Sequence, residues 1–178
     1  STGFYRAYPG AVYLQDQTIF YLDPFINLYA SSGTKHSIRA RVLHNASDMT
    51  NDQSVNSTMI YGDYMFKRSY SFIKDFELIG GVSWTQALVT ADMYRASGSD
   101  FNKQFNISGY VQAENKIRDV VTTSVGVRGE YFELNDSISA LKPILRAGIN
   151  FKLYPSSYLR LSYGQGYRFP SITERYIR

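Results

Sequence analysis

Hydrophobic and polar residues alternate with a period of two along most of this chain. The pattern is strictest near the C-terminal end, in the segment 158–169, which reads YLRLSYGQGYRF. One face of that segment carries Leu159, Leu161, Tyr163, Tyr167 and Phe169, and the other carries Tyr158, Arg160, Ser162, Gly164, Gly166 and Arg168. Such a period predicts a β-strand with one apolar and one polar face. Pro170 lacks a backbone N–H, so we expect the strand to end there.

The same alternation predicts an all-β fold. Eight strands are expected, over residues 18–30, 36–45, 57–72, 76–94, 105–116, 121–131, 142–153 and 158–169. Pro24 predicts a bulge or a bend in the first of them. Residues 1–17 show no clean period, so we expect an irregular entry segment followed by one domain over residues 18–178. No helical pattern interrupts the strands.

The connections between these strands are predicted to differ in length in a regular order. Short links are expected near residues 32, 74, 118 and 155, and longer polar loops near residues 51, 100 and 137. Strict alternation of short and long links predicts an antiparallel up-and-down meander with all short links at one end. This arrangement is typical of an outer-membrane β-barrel and not of a Greek-key sandwich.

The composition fits apolar residues that are interleaved with polar ones. Hydrophobic residues make up 44% of the 178 positions, yet the mean hydropathy is −0.28. The 16 tyrosines suit positions with one apolar and one wet end, such as the aromatic girdles of a barrel. Composition alone leaves a soluble β-sandwich ligand-binding module as the alternative, which would be monodisperse without detergent. The 19 Lys and Arg residues form no cluster, so we expect no nucleic-acid partner.

Residues that could support catalysis or bind metal are scarce. The chain has no cysteine, which excludes disulfides and cysteine-ligated metal sites. His36 and His44 lie too far apart on one strand for a compact metal pair, and neither sits in a catalytic motif. We therefore expect no enzyme, no cofactor and no metal; a serine–histidine outer-membrane hydrolase is the enzymatic alternative. No apolar run is long enough for a transmembrane helix, and no signal peptide is visible.

A spaced set of residues near the C-terminus carries a resemblance to a known family. The set comprises Leu159, Arg160, Ser162, Tyr163, Gly164, Gly166, Tyr167, Arg168, Pro170, Ser171 and Glu174. It resembles the late-barrel motif of TonB-dependent outer-membrane receptors. Three further strands look like those of the family, through Tyr110, Gln112 and Glu114, through Gly126, Arg128 and Glu130, and through Pro143, Arg146 and Gly148. The resemblance covers residues 104–178, whereas residues 1–103 match only in pattern.

The resemblance implies a 22-strand barrel in the Gram-negative outer membrane, filled by an N-terminal plug domain. Such receptors bind a scarce nutrient and import it when the inner-membrane TonB complex pulls on the plug. The ligand stays open among a siderophore, haem, cobalamin and a glycan. The chain itself shows no plug-like segment and fewer strands, so we expect either an excised fragment or the ordered part of a longer receptor. Membrane lipid and the plug of the parent chain would be its neighbours.

The polar faces of the predicted strands carry the candidate site residues. A charge that faces hydrocarbon costs roughly 2–4 kcal/mol near the midplane, so we expect these charges to face the lumen. Candidate contacts to plug or ligand are Arg128, Glu130, Arg146, Arg160 and Arg168. The alternative is a network of ion pairs that never contacts ligand. Gly164 and Gly166 would let plug backbone approach closely, or would simply curve the strand.

Overall fold

The computed structural model describes residues 14–50, 53–70, 75–92, 94, 99–167 and 169. Within them the chain forms one antiparallel sheet of nine strands. The strands are β1 (Gln15–Leu22), β2 (Phe25–Tyr29), β3 (Thr34–Met49), β4 (Val55–Tyr70), β5 (Phe76–Ala91), β6 (Phe101–Ile117), β7 (Val121–Leu134), β8 (Ile138–Tyr154) and β9 (Ser157–Gly164). From β3 onward each strand pairs with the next, which confirms the predicted meander.

The first predicted strand is divided in two at Asp23 and Pro24. Both parts pair with β3, and the register continues unchanged across the break, from Leu22 opposite Val42 to Phe25 opposite Arg39. The Ala40 N–H donates to the Pro24 carbonyl at 3.0 Å, but proline has no N–H to donate in return. The proline therefore interrupts the ladder without adding a residue. Of the two expected features, a bulge or a bend, the unchanged register excludes the bulge.

The predicted order of short and long connections is wrong. The loop expected over residues 133–140 is a tight hairpin, in which the Ser137 N–H donates to the Leu134 carbonyl and Asn135 and Asp136 have φ of 52° and 53°. Positive φ at both central residues defines a type I′ turn, whose twist matches that of the strands. The β6–β7 hairpin at the other end of the sheet uses the same turn. The longest connection is 92–100, between β5 and β6.

The register separates the side chains of the sheet into two faces. The apolar face carries Ile38, Val42, Ile60, Tyr64, Val82, Trp84, Ile107, Val111, Val125, Val127, Leu145, Ile149, Leu159 and Leu161. The polar face carries Arg39, Arg41, Asp63, Lys67, Glu77, Glu114, Lys116, Arg128, Glu130, Arg146, Asn150, Lys152, Arg160 and Ser162. The alternation seen in the sequence is thus a real division of the surface.

Within the part of the chain that the structure describes, no second layer of protein covers the apolar face. Val125 is 61% exposed and Leu161 is 56% exposed, although both lie within long strands. A β-sandwich would bury such residues between two sheets. The described residues form a single sheet instead, and the sandwich alternative is therefore wrong.

Candidate functional site

A row of polar side chains crosses the polar face at right angles to the strands. The register places its members opposite one another from β3 to β8, in the order Arg39, Asp63, Ser83, Ser108, Glu130 and Lys142. The Ser83 and Ser108 hydroxyls share a hydrogen bond of 2.8 Å, and Ser108 is almost fully buried. Buried hydroxyls need such a partner. The row therefore fixes neighbouring strands to one another in the middle of this wall.

Two arginines on β3 bind carboxylates in different surroundings. Arg39 donates from Nε and Nη2 to Asp63 Oδ2, at 3.2 and 2.9 Å, and the Asp63 side chain is only 6% exposed. Arg41 donates from Nε and Nη2 to the two carboxylate oxygens of Asp23, both at 2.7 Å, where both partners are largely exposed. The first pair satisfies a buried charge, whereas the second lies where water can replace it.

Two further acids on the polar face are also satisfied. Lys67 Nζ lies 2.9 Å from Glu77 Oε2. Glu130 accepts a hydrogen bond from Asn106 Nδ2 at 2.9 Å, and Arg128 Nε lies 3.6 Å from its other carboxylate oxygen. The predicted site residues Arg128 and Glu130 are thus brought together, in a contact that supports the wall. A role toward plug or ligand stays a prediction for both.

Aromatic side chains lie across two glycines, one on each face. A Cβ on Gly81 would lie 2.6 Å from the Tyr110 hydroxyl and 2.5 Å from the Tyr64 carbonyl oxygen. On the apolar face, a Cβ on Gly62 would meet the indole ring of Trp84 in the same way. Each aromatic residue is the cross-strand partner of its glycine. This covering of a glycine by a neighbouring ring fixes the strand register and excludes any larger residue there.

The C-terminal motif does not continue the wall as one strand. β9 ends at Gly164, six residues before Pro170, so the proline is not what ends the ladder. Phe169 stacks on Phe132 with ring centroids 4.4 Å apart, and Phe132 lies on the polar face of β7. The prediction that Phe169 shares the apolar face with Leu159 is therefore wrong. Tyr167 meets the Phe169 ring edge to face at 4.6 Å.

The Phe169 ring packs against a hydrophobic cluster on the polar face of the sheet, which draws the chain away from the β9 ladder. The cluster consists of Ala91, Tyr94, Phe132 and Leu134, with Val55, Val89 and Ile138 beside them. Sequence reasoning missed it because the expected loop 133–140 removed Leu134 from the strand. The available signal was the pair Asn135-Asp136, which favours a tight turn. In that turn, the hydrogen bond from the Lys103 ammonium group lowers the pKa of the Asp136 carboxyl group from its ordinary value.

Of the remaining motif and site residues, four lie within the described part of the chain and four lie outside it. Gly164 ends β9, opposite Arg146, and Gly166 has no atom within 4 Å of an added Cβ. Arg146 and Arg160 lie on the polar face of β8 and β9. Arg168, Pro170, Ser171 and Glu174 lie outside the described residues. The expectations for these four residues stay predictions.

Metal and membrane features were sought over the same ranges of the chain. No three His, Cys, Asp or Glu side chains among the described residues come close enough together to hold a metal ion. No helix in that part of the chain is long and apolar enough to cross a membrane.

Comparisons with known proteins agree on one fold. A family model described as TonB dependent receptor-like, beta-barrel, matches residues 3–178. No curated protein sequence matches the chain. Among solved structures, the FrpB iron transporter from Neisseria meningitidis is similar with a TM-score of 0.74 at 12% identity, over 88% of this chain and 30% of that one.

Two further solved structures share the arrangement of strands. The alcaligin outer membrane receptor FauA from Bordetella pertussis matches with a TM-score of 0.62 at 11% identity, over 85% of this chain and 29% of its own. FpvAI, solved in complex with pyocin S2, matches with a TM-score of 0.65 at 11% identity, over 81% of this chain and 25% of its own. The chain thus spans 25% to 30% of the length of these three structures.

Proposed function

Because the chain belongs to the family of TonB-dependent receptor β-barrels of the Gram-negative outer membrane, we propose that it forms part of the wall of a receptor that imports a scarce nutrient. The observation that carries the proposal is the combination of the family match with an apolar sheet face that none of the described residues covers with a second layer. The matching family is one of receptors, so the role that we assign to the chain is binding and transport.

The width of the apolar band supports contact with lipid. On β6 the apolar face runs from Phe105 to Ala113, and the polar residues Lys103 and Asn115 flank it. For strands that rise about 3.3 Å per residue and tilt by about 45°, the height of this band along the membrane normal is roughly 20–28 Å. That is the height of the lipid-facing band in outer-membrane barrels. The polar face then borders the lumen, where the plug domain and the nutrient would contact it.

The two edges of the sheet lead to a prediction about the chain in isolation. β1 and β2 form one edge and β9 forms the other, and among the described residues these two edges do not pair with each other. An unpaired backbone N–H or C=O in hydrocarbon costs several kcal/mol. Residues 1–178 refolded alone into detergent should therefore associate through these edges, which a mass measurement would detect. A stable, heat-modifiable monomer would show instead that the segment closes on itself.

Uptake measurements test the transport role directly. The intact receptor would be expressed in cells with and without an active TonB complex, and the accumulation of labelled ferric siderophores, haem, cobalamin and oligosaccharides would be followed. We expect one of these classes to accumulate only when both receptor and TonB are present. Accumulation at equal rates without TonB, or with an empty vector, would contradict the proposal.

A further inference from the structure

The charges of β8 and β9 differ from those of the preceding strands. Residues 138–164 contain no Asp or Glu, yet they carry Lys142, Arg146, Lys152 and Arg160. The register places all four on the polar face. None of them pairs with a carboxylate of the described residues. Lys142 lies opposite Glu130, which Asn106 and Arg128 already contact, and no acid lies opposite Arg146, Lys152 or Arg160 in the register. The net charge of this strip is therefore positive.

The four cations have different neighbours. Lys142 lies opposite Glu130, with its Nζ 5.4 Å from the centre of the Tyr167 ring, and Lys152 lies opposite Tyr158. Arg146 lies between Gly126 and Gly164, and Arg160 lies opposite Asn150. A cavity of about 170 Å³ borders Arg146 and Arg128, and another of about 360 Å³ borders Lys152 and Asn150. Asp119 also borders the second cavity, where Lys116 Nζ lies 2.6 Å from its carboxylate. The strip is therefore an open groove and not a packed surface.

The groove runs along the wall. From Lys142 to Lys152 the strand extends about 33 Å at roughly 3.3 Å per residue, so the cations follow β8 from one end of the sheet to the other. Low-dielectric walls concentrate the field of such a row and raise the local concentration of oppositely charged solutes. A row of this length attracts an anion all along the wall, whereas a single cation would attract it at one point only.

We propose that the polar face of β8 and β9 is a cationic groove for an anionic small molecule, a cargo that carries carboxylate or phosphate groups. The inference rests on the proposed function, since it concerns the cargo of that same lumen. A packed protein partner fits less well, because a stable protein interface needs an apolar centre. The strip offers Ile144, which is already buried, and Tyr158 at its end. A hydrated anion needs only the cations and the space beside them.

Charge-selective labelling tests the proposal in the intact receptor. Residues 1–178 contain no cysteine, so Asn150→Cys introduces one thiol into this part of the receptor, and any cysteine elsewhere in the receptor would be replaced by serine. The thiol would be treated with an anionic sulfonatoethyl and a cationic trimethylammonioethyl methanethiosulfonate. Surface potentials of a few kT predict a preference for the anionic reagent of about 10-fold or more over that of a control thiol at Thr85→Cys. Thr85 lies on the polar face of β5, opposite Tyr61 and Asn106.

Two further labelling measurements distinguish a cationic groove from a surface that is simply accessible to both reagents. Arg160→Gln should lower the anionic preference at position 150 at least about 3-fold, whereas Arg41→Gln, which removes a paired cation, should leave it unchanged. Citrate, a trianion, should slow the anionic reagent at position 150 and not at position 85.

The same ratio of anionic to cationic labelling rates at positions 150 and 85 would overturn the proposal. So would protection from both reagents, which would mean that protein covers the strip. These outcomes do not depend on import, so they differ from a failure of the uptake experiment, which would leave the labelling preference intact.

Discussion

Gly81→Ala should lower the free energy of unfolding of the intact receptor by about 3 kcal/mol. The added methyl group would lie 2.5 Å from the Tyr64 carbonyl oxygen and 2.6 Å from the Tyr110 hydroxyl. Real atoms do not approach so closely, so strand and ring must both shift, at the upper end of the cost of overpacking. Urea unfolding of the receptor refolded into lipid vesicles would measure the loss.

Two variants control that experiment. Gly129→Ala places a methyl group where no atom lies within 4 Å, so it should change stability by less than about 0.5 kcal/mol. Tyr110→Ala combined with Gly81→Ala should cost at least about 1 kcal/mol less than the sum of the two single changes, because one clash has gone. Equal losses for Gly81→Ala and Gly129→Ala would show that Tyr110 does not lie across Gly81.

Arg39→Ala should cost about 2 kcal/mol of stability, whereas Arg41→Ala should leave the stability almost unchanged. The two arginines lie two residues apart on one face of β3, and each donates two hydrogen bonds to a carboxylate. Removing Arg39 leaves the buried carboxylate of Asp63 without a partner, at a cost that partial access of water reduces from the usual 3–5 kcal/mol. The carboxylate of Asp23 is exposed, so water replaces Arg41.

A second substitution, Asp63→Asn, removes the carboxylate that Arg39→Ala leaves unpaired. Arg39→Ala with Asp63→Asn should recover at least half of the loss, because an amide is less costly to bury than an unpaired carboxylate. Arg41→Ala with Asp23→Asn serves as the matched control and should show no recovery. Similar losses for Arg39→Ala and Arg41→Ala would indicate that the burial of Asp63 does not matter for stability.

The sequence predicted the strands and their two faces well, because a period of two is a local property. The faces of β7 and β8 follow from Val125, Val127 and Leu145 alone. The ends of strands were harder to predict. The Asn135-Asp136 turn shortens a connection that looked like a loop, and Phe169 leaves the ladder for a partner 37 positions earlier in the chain. Such a contact depends on tertiary packing, which no local pattern reports.

The candidate site was predictable only in part, for the same reason. Alternation indicated that Arg128, Glu130, Arg146 and Arg160 share one face. It could not indicate that Arg128 meets Glu130 while Arg146 lies opposite two glycines, because pairing depends on register and on the neighbouring strands. The match between Arg39 and Asp63, 24 positions apart, is likewise set by the β3–β4 register.

The central claim is that one face of this sheet borders lipid and the other borders a watery lumen. Spin labels at Leu159, Arg160, Leu161 and Ser162 of the reconstituted receptor test it most directly, since these residues alternate between the faces of β9. Labels at positions 159 and 161 should collide mainly with oxygen, which concentrates in lipid, and labels at 160 and 162 with a water-soluble nickel complex. Equal accessibility to both reagents at adjacent positions would contradict the claim.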